Sequence, residues 1–168
     1  MRRRASDRNK KMRRRASDRN KKMRRRASDF LKGDYMNQLK TEAKTENLEA
    51  VNDFLAENLI GCPMRVLMQT ELAVEEIFVN IAHYAYKDET GEVNVLCELD
   101  KEKNLFTIIF EDTGIPFDPL KRDDPDVTLS AEERDIGGLG IFLTKKLMDE
   151  VRYENKGGKN ILTLIKKL

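Results

Sequence analysis

Glu76 and Asn80 lie four residues apart in the stretch LAVEEIFVNIAHYAY (72–86). That spacing puts them on one face of a helix. The helix is apolar around much of its circumference. A carboxylate in such surroundings is costly unless paired, and asparagine is a mediocre helix former because its amide competes with the backbone. An Asn carbonyl can ligate Mg²⁺, which typically takes one or two protein oxygens plus substrate phosphates. A Glu one turn away can accept the proton of an attacking hydroxyl. The plainer reading is that this stripe is the wet side of the helix. Asp112 is the second candidate. It closes an apolar strand on the inward face and is followed by TGIP. It is either an ordinary strand exit into an Asp-x-Gly turn, or a carboxylate at the base of a pocket that accepts a hydrogen bond from a ligand amino group. The third candidate is the run Gly137-Gly138-Leu139-Gly140, directly before an amphipathic helix. Free N–H groups at that helix start could receive phosphate, or the glycines could simply hinge the preceding loop. No G-x-x-x-x-G-K-[ST] is present. GGLGIFL lacks the third glycine of G-x-G-x-x-G and follows a loop rather than a strand.

These residues need elements to position them. MNQLKTEA (36–43) partly alternates and reads as a first strand. Thr45 is a candidate N-cap for a helix whose apolar residues Leu48, Val51, Leu55 and Ile60 fall near helical spacing, with Gly61 ending it. Pro63 opens a second, long helix over 64–86. EVNVLCEL (92–99) and NLFTIIFE (104–111) are strands joined by the polar turn DKEK. Val93, Val95, Cys97 and Leu99 share one face; Phe106, Ile108, Phe110 and Asp112 share another. A charged, Pro-broken loop spans 112–138, and such long loops inside a domain are usually functional or disordered. SAEE (130–133) could cap one short turn within it. A helix at 139–150 and two strands, VRYEN and NILTLIKKL, flank the turn KGGK. The order β-α-α-β-β-loop-α-β-β predicts an α+β two-layer sandwich, with helices on one face of a largely antiparallel sheet. It is not the alternating βαβ pattern of the common phosphate-binding folds.

Composition supports one domain with a basic extension. Sixteen of the 32 Lys and Arg, but only four of the 30 Asp and Glu, fall in residues 1–35, a net of +12; residues 36–168 carry −10. An acidic body has no general affinity for nucleic acid. MRRRASDRNKK occurs at 1–11 and 12–22, and MRRRASD opens a third copy at 23–29. With only Met and Ala as apolar members, the repeat builds no helical seam and predicts a disordered basic arm. It is read as a start-site duplication or tag, with a nucleic-acid or anionic-surface tail and a basophilic kinase substrate centred on Ser6, Ser17 and Ser28 as the competing readings. Cys62 and Cys97 offer neither a disulfide framework nor zinc spacing. No apolar run approaches a membrane span and no secretory signal is visible, so the expectation is a cytoplasmic protein with no membrane partner.

Taken in order, EIFVN, DTGIPFDP and GGLGIF resemble the N-box and the two glycine boxes of the GHKL-type ATP-binding fold, also called the Bergerat fold. LAVEEIFVNIAHYAY and GGLGIFLTKKLMDEVRYE are similar to the stand-alone anti-sigma factor serine/threonine kinases, across essentially all of 36–168. The resemblance implies a mixed, mostly antiparallel sheet and a histidine-kinase-like ATP-binding domain. It implies ATP and Mg²⁺ as cofactors. Asn80 would carry Mg²⁺ bridged to the triphosphate, and Glu76 would be the base; the adjacent Glu75 faces another side of the helix. Asp112 would bind the adenine amino group, Gly114 would let the chain pass close to the base, and residues 117–136 would form a lid. Gly138 and Gly140 would cradle phosphates. Thr163 on the last strand would reach the adenine side through water, its register left open. His83 follows the Asn one place earlier than in many relatives and reads as structural. The lone histidine, without a helical-hairpin acceptor domain, argues against an intact histidine kinase. The resemblance implies a homodimer that phosphorylates a Ser or Thr of a small antagonist protein and sequesters a sigma factor or similar regulator. A nucleotide-gated binding module without kinase activity, and a histidine-kinase domain acting in trans, are the alternatives.

Overall fold

Alternation of buried and half-buried side chains along three central strands defines the sheet's two faces. In the computed structural model, which describes residues 36–87, 90–121 and 139–168, the strands are β1 (Asn37–Glu42), β2 (Glu92–Asp100), β3 (Leu105–Asp112), β4 (Glu150–Lys156) and β5 (Lys159–Lys167). They form one sheet in the order β1-β2-β3-β5-β4. All four pairings are antiparallel. Period two puts Val93, Val95 and Cys97 of β2, Phe106, Ile108 and Phe110 of β3, and Leu162 and Leu164 of β5 on one buried face.

Three helices cover that face: α1 (Leu48–Asn58), α2 (Met64–Asn80) and α3 (Leu139–Leu147). Val51, Phe54 and Leu55 of α1 and Val66, Ala73, Val74, Ile77 and Phe78 of α2 complete the core with Ile141 of α3. Helices on one face of an antiparallel sheet are the α+β architecture that the element order predicts.

The inner face runs in rows across the strands. Val95, Phe110, Leu162 and Tyr153 make one row, and Cys97, Ile108, Leu164 and Val151 the next. At one end the row turns polar: Asp112 pairs with Asn160, and Asn160 with Asn155. At the other end buried Lys166 donates to the Leu147 carbonyl (2.6 Å) and meets Asp149 at 3.4 Å.

Several boundaries differ from the sequence expectation. Thr45 is not an N-cap: a single 3₁₀ turn, Thr45–Asn47, precedes α1, and Lys44 and then Asn47 hold the cap positions. The long helix is α-helical only to Asn80, and Ile81–Ala85 form a π turn. The last helix stops at Leu147 rather than 150. Asp149 already donates its N–H to the Ile165 carbonyl, drawing the chain into β4. Gly61 ends α1 at φ +87°, and the β4–β5 hairpin turns on Gly157 and Gly158 at φ +62° and +78°. Positive φ at both central residues is what a two-residue type I′ hairpin turn requires. The basic arm, the SAEE turn and Gly138 lie outside the described residues.

Candidate functional site

Where the polar row meets the end of α2, a cavity of about 400 Å³ opens. Asn80, with Ile77 and Ile81, forms one wall; Asp112, Asn160, Leu162 and Tyr153 form the floor. Ile115, Pro116, Phe117 and Pro119 border it from the segment after β3, and Tyr84, Ala85 and Ile141 complete the lining. It is an apolar slot with a few converging polar groups, the usual character of a small-molecule site.

Asp112 sits 7% exposed at the inner end of β3. Its Oδ1 accepts from the Gly114 N–H (2.8 Å) and from Asn160 Nδ2 (2.8 Å). Its Oδ2 takes no hydrogen bond among the described residues, so it keeps acceptor capacity toward the cavity. The segment after β3 is clamped on two sides. Ile115 donates its N–H to the Ala85 carbonyl at the end of the π turn (2.8 Å), and Asn160 reaches the carbonyls of Gly114 and Ile115. A Cβ on Gly114 would collide with the Ala85 carbonyl and Cβ, so only glycine lets the two backbones approach this closely.

Glu76 stands one turn before Asn80 and is half-buried, while Glu75 is exposed. The Glu76 carboxylate abuts Gly140 in the first turn of α3, where a Cβ would overlap it. Glu76 thus meets the start of α3, and helical spacing sets it one turn from Asn80 on α2; Asn80 lines the cavity, whereas Glu76 is not among its lining residues. The Asn80 amide makes no hydrogen bond among the described residues. No cluster of three or more His, Cys, Asp or Glu suited to a metal exists among them either. Among the described residues there is therefore no protein cage for a cation. The site fits a cation held by one or two protein oxygens and otherwise by a phosphorylated ligand.

Two residues weighed in the sequence lie off the cavity. Thr163 faces away from the cavity: the register pairs it with Ile109 and Arg152 on the sheet's other face, and Leu162 and Asn160 point inward. Its position one residue off the inward set follows from the two-residue glycine turn, which fixes the count into β5. His83 is exposed on the π turn, edge-on to Tyr84, and does not line the cavity. Asn160 and Tyr153 were not anticipated. An Asn within a strand is a poor β-former, and that misfit at Asn160 was the available signal.

A family profile described as "Histidine kinase-like ATPase domain" matches residues 41–166. This chain belongs to that family. Among its relatives is the serine-protein kinase RsbW of Bacillus thuringiensis (strain Al Hakam), 28% identical over 131 residues, covering 74% of this chain and 81% of that one. RsbW of Bacillus cereus (strain B4264) is 26% identical over the same shares. The solved RsbU and RsbW domains of Rv1364c from Mycobacterium tuberculosis share the fold. The TM-score is 0.54 at 18% identity, covering 79% of this chain and 32% of that longer one. As a histidine kinase-like ATPase domain, the chain has its family's α+β fold, with the cavity at the end of the long helix α2.

Proposed function

We propose that this chain is an ATP-dependent protein serine/threonine kinase of the anti-sigma-factor type, which phosphorylates a small antagonist protein and sequesters a sigma factor or similar regulator as a homodimer. The observation that carries this reading is the placement of Asn80 and Asp112 on one apolar cavity, each with hydrogen-bonding capacity unused among the described residues. The similarity to serine-protein kinases supports the acceptor class. Asp112 Oδ2 would accept from the adenine amino group, with Gly114 giving the base close passage. The Asn80 carbonyl would hold Mg²⁺ together with the phosphates, and Gly138 and Gly140 would leave the start of α3 open to them. Bound Mg²⁺ supplies charge neutralisation on the phosphoryl oxygens. Glu76 would take the proton of the acceptor hydroxyl. The lid expected over residues 117–136 lies outside the described residues beyond Lys121, as does the basic arm of residues 1–35. A nucleotide-gated binding module without transfer would share every one of these binding contacts, so partner phosphorylation separates the two.

The test is thermal unfolding of the full chain with and without Mg²⁺-ATP, beside Asn80→Ala. Ligand at about 100 times its dissociation constant adds about 2.7 kcal/mol, a shift of several degrees. The expected result is a Mg²⁺-dependent shift in the parent that Asn80→Ala loses. A well-folded parent with no shift would sink the nucleotide reading.

A further inference from the structure

We infer that Asn160, oriented by Tyr153, is the positioning residue that sets the base selectivity of this cavity; the inference rests on the nucleotide reading above. Asn160 is 6% exposed and every polar atom of its side chain is engaged. Its Nδ2 faces three acceptors: Asp112 Oδ1 at 2.8 Å, the Gly114 carbonyl at 3.2 Å and the Ile115 carbonyl at 3.3 Å. A flipped amide would set its oxygen against a carboxylate and two carbonyls, so this orientation is forced. The Asn160 Oδ1 must then accept. It takes the Tyr153 hydroxyl proton at 2.8 Å and an Asn155 amide N–H at 3.0 Å. The direction of donation is therefore fixed along the row, from Tyr153 on the edge strand β4, to Asn160 on β5, to Asp112 on β3.

The consequence falls on Asp112. With Oδ1 committed to Asn160 and the Gly114 N–H, only Oδ2 is left for a ligand, and as a carboxylate oxygen it can only accept. The base must therefore present an N–H at that point. A 6-amino group satisfies the site; a 6-oxo group sets acceptor against acceptor, and a bare C–H leaves the buried carboxylate oxygen unmet. Asn160 also pins the carbonyls of Gly114 and Ile115, so the same side chain holds the wall segment that the base would stack beside. Tyr153 and Asn160 line the cavity themselves but act on the base through Asp112.

A ligand-by-residue cycle tests this. The full chain, with Mg²⁺, is titrated with ATP and with purine riboside triphosphate, which lacks only the 6-amino group, in the parent, Asn160→Ala and Tyr153→Phe. A hydrogen bond to a charged group predicts that the parent favours ATP about tenfold or more. In Asn160→Ala the two ligands should bind within about threefold of one another, and in Tyr153→Phe the preference should fall by at least about threefold. A purely structural role would weaken both ligands together and leave the ratio intact; an unchanged ratio in Tyr153→Phe overturns the inference. If Asn160→Ala does not fold, Tyr153→Phe decides alone. A parent that binds neither nucleotide, or both equally, removes the nucleotide reading and this inference with it; a parent that discriminates beside variants that discriminate equally removes this inference only.

Discussion

At the scale of single residues, the two described glycines of the site do different work. A Cβ on Gly140 meets the far end of the Glu76 side chain, which can swing away. A Cβ on Gly114 meets the Ala85 backbone, which cannot. Gly140→Ala should therefore leave the thermal midpoint unchanged or slightly raised, since Ala is the better helix former by about 1 kcal/mol, while on the proposed kinase reading phosphoryl transfer should fall because the Glu76 carboxylate is displaced. Gly114→Ala should cost about 1–3 kcal/mol in chemical denaturation. On the proposed kinase reading, Glu76→Gln should keep nucleotide affinity and slow transfer to the antagonist about 100-fold. Transfer at the parent rate in Glu76→Gln would remove Glu76 from its proposed role. Asn80, Glu76 and Asp112 were legible because each is a polar residue set in an apolar run. Thr163, whose register the sequence left open, falls on the sheet's other face, because in a strand a shift of one position changes the face.

At the scale of elements, α2 and α3 are held at opposite ends. The π turn Ile81–Ala85 releases the Ala85 carbonyl to the Ile115 N–H, tying the end of α2 to the cavity wall. Periodicity does not distinguish a π turn from an α turn over five residues, so 64–86 read as one helix. The end of α3 is held by Lys166, whose ammonium caps the Leu147 carbonyl and faces Asp149. Lys166→Met should cost about 1–3 kcal/mol, because it leaves that carbonyl without its donor. The Asp149 carboxyl lies below its ordinary value, chiefly because it accepts the Lys167 N–H; burial opposes this and the Lys166 charge assists. A depressed carboxylate contributes stability that is present above its unfolded value, near 3.8, and is lost as pH falls through its lower folded value. Urea midpoints measured through that acid window should therefore fall more steeply in the parent than in Asp149→Asn. Equal slopes would show that Asp149 does not couple to folding.

At the scale of the whole molecule, the two cysteines should report separately on folding. Cys97 lies on the inner face of β2, 0% exposed, and burial pushes its thiol up to about 12. Cys62 is half-buried after α1, its thiol raised by the same cause with Lys101 opposing. An alkylating reagent should label Cys62 in the native protein, and Cys97 only through opening of the sheet, more slowly still with Mg²⁺-ATP bound. Simultaneous labelling would show that the central strands open locally. The sequence by itself determined the element order and the inward faces of β2 and β3, and it singled out Asn80, Glu76 and Asp112 as candidates, of which Asn80 and Asp112 line one cavity. Each of these follows from local periodicity or from a polar residue out of place among apolar ones. Only the tertiary structure decided that β5 lies between β3 and β4, that Asn160 stands opposite Asp112, and that Tyr153 reaches it from the edge. Cross-strand partners depend on register and strand order, and these are settled by long-range pairing that no local pattern encodes.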